Sequence, residues 1–203
     1  MTTALIIVDV QNDFCKDGAL EVPGAEEIIP VINKLLNRFS VIRLTKDYHP
    51  KDHGSFAVNH NKEPFTMGEL KGKPQMLWPI HCVNNSIGSD FNPGLELDKY
   101  KYQVIYKGTD KDVDSYSAFY DNNKENDTGL TESLVTKGIT RLAVVGLATD
   151  YCVKHTVLDG LKEGFDVTVL TDGCRGVEII EGDVENALME MEKAGAYINR
   201  RKI

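Results

Sequence analysis

Along this chain, short apolar runs alternate with longer stretches whose apolar residues recur at helical spacing. Ala4-Leu5-Ile6-Ile7-Val8-Asp9-Val10 is a nearly unbroken apolar run with one acid near its end. Such a run suits a strand covered on both faces, as in a parallel sheet. Gln11 to Phe14 opens a loop that Pro23-Gly24 ends. From Ala25 to Arg38, Ile28, Ile29, Ile32, Leu35 and Leu36 fall on one face and predict an amphipathic helix. Val41 to Thr45 predicts a second strand, running into Lys46-Asp47-Tyr48-His49-Pro50. Pro50 forbids a simple helical continuation at His49. His49 to Phe91 is weakly periodic and rich in Gly, Pro, Asn and His, so it reads as a long functional loop.

The second half repeats the alternation. Gln103 to Tyr106 predicts a short strand ending at Lys107-Gly108. Asp110 to Tyr120 reads as a loop with Ser115, Tyr116 and Phe119 available to line a site. Gly129 to Lys137 predicts a helix, Arg141 to Val145 a buried strand, and Asp150 to Lys162 a helix. Asp166 to Leu170 predicts a strand, Asp183 to Ala194 the last helix, and Ala196 to Ile198 an edge strand. This βαβα order predicts a three-layer α/β/α sandwich with a mainly parallel central sheet. No linker divides the chain, so residues 1–203 are expected to form a single domain.

Composition narrows the function. A net charge of −8 argues against general binding to nucleic acid or an anionic membrane, since phosphate binding needs a basic face. The N-terminus lacks the basic and apolar regions of a signal peptide, and no apolar run reaches bilayer-spanning length. Cys15, Cys82, Cys152 and Cys174 are scattered without CxxC spacing, which fits reduced thiols in a cytoplasmic enzyme.

Three groupings carry chemistry. Asp9, Lys107 and Cys152 each fall at the carboxyl end of an expected strand, where ligands bind in open α/β sheets. An acid, an amine and a thiol there can form a nucleophile, a base and a fixed charge. Cys152 should stand where a strand hands over to a helix, whose N-terminal amides favour thiolate and can hold an oxyanion. Asp47, His49 and His81 form the second grouping. Asp-x-His in extended chain puts both side chains on one face, and two imidazoles with a carboxylate are a ligand set for zinc, iron or manganese. His53 and His60 compete for that role, and Glu63 offers a further oxygen. Phe14, Trp78 and Tyr151 are the third grouping, flat apolar walls suited to a flat aromatic substrate.

Five blocks then carry a resemblance. Val8-Asp9-Val10-Gln11-Asn12-Asp13-Phe14, Lys46-Asp47-Tyr48-His49-Pro50, Leu77-Trp78-Pro79-Ile80-His81-Cys82, Tyr106-Lys107-Gly108 and Gly146-Leu147-Ala148-Thr149-Asp150-Tyr151-Cys152-Val153 stand in this order. Together they resemble the nicotinamidase/pyrazinamidase branch of the isochorismatase-like cysteine hydrolases. The Asp-x-His and Trp-Pro-x-His blocks matter most, because isochorismatases and carbamoylsarcosine amidohydrolases generally lack them. The resemblance implies an isochorismatase-like, Rossmann-like fold and hydrolysis of nicotinamide to nicotinate and ammonia through a thioester, in the service of NAD salvage. It implies Cys152 as nucleophile, Asp9 as general base and Lys107 as third catalytic group. Asp47, His49 and His81 would hold one divalent metal ion, zinc before iron or manganese. A cis peptide at Leu147–Ala148 would turn the N–H groups of Ala148 and Cys152 toward an oxyanion. Phe14, Trp78 and Tyr151 would line the pyridine site, and pyrazinamide should also be accepted.

Rival readings remain at this stage. A related hydrolase acting on another small amide or on isochorismate predicts no stoichiometric metal. A flavodoxin-like binding module fits the strands, but no glycine-rich phosphate loop follows Val10. A redox sensor would need a resolving thiol beside Cys152. Segment 110–127 matches no block of the family, and whether copies of the chain assemble into a homo-oligomer is left open.

Overall fold

A computed structural model describes residues 2–203. Its centre is a six-stranded sheet in the order β5 (Gln103–Lys107), β2 (Val41–Asp47), β1 (Thr2–Val8), β6 (Ile139–Leu147), β7 (Asp166–Arg175), β8 (Tyr197–Asn199). Every neighbouring pair is parallel. The helices are α1 (Ala25–Leu36), α2 (Leu130–Val135), α3 (Lys154–Lys162) and α4 (Asp183–Lys193). The expected α/β sandwich is therefore the observed architecture.

The apolar runs explain the layers. Alternate residues of β1 face opposite sides: Leu5 and Ile7 join the core under α1, while Ala4, Ile6 and Val8 join the core under α2, α3 and α4. β6 divides likewise, Ala143, Val145 and Leu147 on one side and Leu142 and Val144 on the other. Both faces are thus buried, and polar alternation disappears from the sequence. α1 sets Ile28, Ile32 and Leu36 into the sheet with no exposed surface. Each such side chain contributes about 1.5–3 kcal/mol by leaving water.

Two features depart from the expected elements. The stretch 49–91 contains an antiparallel hairpin, β3 (Thr66–Leu70) and β4 (Lys73–Leu77). Lys71 and Gly72 join its strands with φ of +46° and +76°, as a two-residue turn of inverted hand requires. The ribbon is mostly exposed, so it lacks the apolar alternation that would have marked it. The expected helix over 150–162 begins as a single π-helical turn, Thr149–Val153, before α3 takes over. Phe119, expected near the site, instead packs in the core against Phe165.

β1 and β6 are neighbours, but their chains leave in opposite directions, β1 toward β2 and β6 toward β7. A crevice opens between their carboxyl ends for that reason. Asp9 and the π turn lie at that edge. Gly146 makes the close approach of the two strands possible. A Cβ there would lie 2.1 Å from the Val8 carbonyl oxygen, and its φ is +120°.

Candidate active site

The three strand-end residues meet at one point. Lys107 Nζ lies 2.8 Å from Asp9 Oδ2 and 3.4 Å from Cys152 Sγ, and it donates to the Ser115 carbonyl at 3.0 Å. It also donates to Asp47 Oδ1. A carboxylate oxygen of Asp9, one of Asp47 and the Cys152 sulfur all lie within 4.8 Å of one another. Lys107 and Asp9 are sealed from solvent, and Cys152 is 7% exposed. Burial on this scale is tolerated because the charges are paired.

Local structure aims each group. Asp9 has φ of +48°, immediately beyond β1. Its amide donates to Thr45 Oγ1 at 3.1 Å, and that hydroxyl donates back to Asp9 Oδ1 at 2.5 Å. Gln11 spans the same edge. Its side-chain amide donates to the Asp47 carbonyl at 2.8 Å and the Ser89 carbonyl at 2.9 Å, while its oxygen accepts from the Asp47 amide at 2.8 Å. Cys152 sits in the π turn, whose first carbonyl, that of Ala148, accepts from the amides of Tyr151 and Val153 at 3.1 and 3.0 Å. The Leu147–Ala148 peptide is cis.

The electrostatics follow from burial and partners. Burial pushes the Asp9 carboxyl up; Lys107 opposes and Asp47 reinforces, and the result is a pKa of about 6. Burial likewise pushes the Cys152 thiol well above its ordinary value, against the pull of Lys107. Burial alone would neutralise Lys107, but Asp47 and Asp9 outweigh it and keep the ammonium charged. The resting state is therefore a thiol, a carboxylate poised near neutrality and a fixed cation.

Asp47, His49 and His81 also converge. Asp47 Oδ2 lies 3.6 Å from His49 Nε2 and 4.0 Å from His81 Nε2. Each ring turns its other nitrogen to a backbone carbonyl: His49 Nδ1 to Gly108 at 2.9 Å, His81 Nδ1 to Pro79 at 2.8 Å. A carbonyl can only accept, so Nδ1 carries the proton and Nε2 faces the cluster. Burial, then the neighbouring His49, lowers the His81 pKa to about 4. Two oriented imidazoles and one carboxylate fit a divalent ion such as zinc. The His53 ring lies 4.2 Å from that of His49, tilted by 40°, and forms a second donor group with His49 and Asp114. His60 Nε2 donates only locally, to the Gly54 carbonyl at 2.7 Å, and Glu63 is exposed.

Phe14, Trp78 and Tyr151 line one cavity together with Cys152, Ala148, Asp47 and His81. Trp78 meets Tyr151 edge-on at 4.8 Å. Leu20, Asp114, Tyr116 and Val177 complete the lining. Tyr116 Oη accepts from Trp78 Nε1 at 3.2 Å and Gln75 Nε2 at 2.9 Å, and Gln75 also donates to Asp114 Oδ2 at 2.8 Å. Segment 110–127 thus contributes part of the wall. Sequence reasoning missed Leu20, Thr45, Gln11, Gln75, Asp114 and Val177. Thr45 alone left a signal, since it lies two residues before Asp47 on one strand and so shares its face.

The chain belongs to the isochorismatase family, whose domain model matches residues 3–202. Its relatives narrow that class. It is 49% identical to the nicotinamidase of Escherichia coli over 199 residues, 96% of this chain and 93% of the relative. A nicotinamidase/pyrazinamidase structure from Acinetobacter baumannii superposes with a TM-score of 0.93 at 42% identity, covering 97% of this chain and 95% of that one. A Pyrococcus horikoshii pyrazinamidase in complex with zinc gives 0.81 at 36% identity, covering 99% and 100%. Among the described residues, no helix is long and apolar enough to cross a membrane.

Proposed function

We infer that this protein hydrolyses nicotinamide to nicotinate and ammonia, with Cys152 as nucleophile. The observation that carries this reading is Lys107 within 2.8 Å of Asp9 and 3.4 Å of Cys152 beneath an aromatic-walled cavity. Its similarity to nicotinamidases over nearly its whole length supports the substrate.

The steps balance as follows. Cys152 gives its thiol proton to Asp9 as the sulfur attacks the carboxamide carbon. Asp9 is suited to this, because a base near pH 6 accepts a proton better than an ordinary aspartate. Backbone N–H groups of Ala148 and Cys152 stabilise the oxygen anion. Asp9 then returns the proton to the nitrogen, the C–N bond breaks, and ammonia leaves a thioester. Asp9 next takes a proton from water, the hydroxide attacks the thioester, and the C–S bond breaks to release nicotinate. The departing sulfur recovers the proton from Asp9. Lys107 stays an ammonium throughout and balances Asp9 and the sulfur as charge moves between them.

Asp47, His49 and His81 would hold one divalent metal ion, and its charge would attract the lone pair of the pyridine nitrogen. Phe14, Trp78 and Tyr151 would flank the ring. Pyrazinamide should be accepted too, because a second ring nitrogen hardly changes the shape. The product acid would enter pyridine-nucleotide salvage in the cytoplasm. The experiment is ammonia release from nicotinamide by freshly purified protein, with metal analysis and with a chelator present. We expect turnover, about one metal per chain and loss of activity on chelation. Wild-type turnover by Cys152→Ala would overturn the thiol mechanism. Absence of metal in fully active protein would favour a metal-free member of the family.

A further inference from the structure

Val177 belongs to the cavity wall, yet it lies beyond β7 in a stretch with no strand partner. Val177 packs against the core on the α1 side, and one carboxylate ties the stretch to the π turn. The Val177 amide donates to Asp150 Oδ1 at 3.0 Å, and the Glu178 amide donates to Asp150 Oδ2 at 2.7 Å. Asp150 is 5% exposed and stands two residues before Cys152 in the π turn. Hydrogen bonds to an ionised acceptor are about twice as strong as neutral ones, and these two fix successive amides. Gly176 fits the same arrangement. A Cβ at that position would lie 3.0 Å from Asp150 Oδ1 and 2.2 Å from Val184 Cγ2. Glu178, the second donor of the clamp, has φ of +53°.

We propose that Asp150 is a positioning residue that sets Val177 against the substrate ring, making Val177 a determinant of which ring substituents fit. The proposal rests on nicotinamide as substrate. Val177 lines the cavity together with Tyr151 and Cys152 of the π turn, so the clamp ties its isopropyl group to the element that carries the nucleophile. Replacing the carboxylate by a carboxamide turns one acceptor into a donor facing an amide N–H. That segment then loses a tie and the wall recedes. The backbone bonds of the turn to Ala148 do not depend on the carboxylate.

The test compares kcat/KM for nicotinamide with that for 5-methyl- and 6-methylnicotinamide, in wild type, Val177→Ala, Asp150→Asn and the double variant. Removing two methyl groups from the wall should raise the ratio of a methylated substrate to nicotinamide by about tenfold, the scale of small apolar pockets. Asp150→Asn should move the ratio the same way. The double variant should go little beyond the larger single effect, because both act at one contact. A ratio measured on one preparation does not depend on how much of it is folded, so a merely structural loss leaves it unchanged. Unaltered ratios in Val177→Ala, or shifts that add in the double variant, overturn the proposal. An unaltered ratio in folded Asp150→Asn likewise overturns it, and where that variant does not fold, Gly176→Ala, whose Cβ would lie 3.0 Å from Asp150 Oδ1, takes its place in the same comparison. Wild-type protein that releases no ammonia from nicotinamide would instead overturn the substrate itself.

Discussion

Lys107 donates a hydrogen bond to Asp47, and this contact joins two groupings that the sequence presents as separate. One oxygen of Asp47 faces the lysine, and the other faces the Nε2 atoms of His49 and His81. The ammonium therefore compensates Asp9 and Asp47 together, and a cation bound at the histidines would share a carboxylate with the nucleophile's partner.

Lys107→Met should remove the only charge that both carboxylates contact among the described residues. Breaking a buried ion pair by deleting one partner costs about 3–5 kcal/mol. Urea unfolding of chelated protein should report that loss, and ammonia release should fall to background. Stability equal to wild type would contradict the pairing described.

Gly108→Ala should disturb the histidine cluster without touching a ligand. Gly108 has φ of +62°, and a Cβ there would lie 2.4 Å from His49 Cε1. Its carbonyl also orients His49 Nδ1. Loss of such an orienting contact lowers metal affinity by about 10–100-fold. Competition against a chromogenic chelator would measure it, and unchanged affinity would argue that His49 binds no metal.

The acid limb of kcat/KM should lie near the Asp9 value of about 6. Below it Asp9 is protonated and cannot take the thiol proton, so activity falls as pH falls. Thr45 donates to Asp9 and lowers its pKa, so Thr45→Val should move the limb to higher pH. A limb that stays in place or moves down would remove Asp9 from the base role.

His155 packs against Tyr116 with ring centroids 5.3 Å apart. Burial, then Lys154 and Lys124, lowers its pKa from 6.5 to about 4. Between those values the unfolded chain binds a proton that the folded chain does not. Stability is thus fully present above pH 6.5 and declines as pH falls toward 4. His155→Gln should lose less stability than wild type between pH 7.5 and 5 in urea unfolding. Equal losses would show that other groups govern the acid side.

Much of this architecture was legible because its signals are local. β1 and β6 are buried on both faces, so each appears as an uninterrupted apolar run. α1 buries one face, so its isoleucines recur at helical spacing. The exposed hairpin at 66–77 carried no such pattern and read as loop. Asp9, Lys107 and Cys152 could be grouped because parallel strands deliver their carboxyl ends to one edge, whatever their separation in the chain. Tertiary structure alone decided what each of these side chains faces. That Asp47 serves the lysine and the histidines at once, that Thr45 and Gln11 hold the strand ends, and that Asp150 clamps the chain beside Val177 depend, apart from the neighbouring Asp47–His49 pair, on contacts between residues 27 to 78 positions apart. Hydrophobic periodicity records which face of an element is buried, but not which polar atom meets which, since that depends on distances of a few tenths of an ångström set by the packing of the whole sheet.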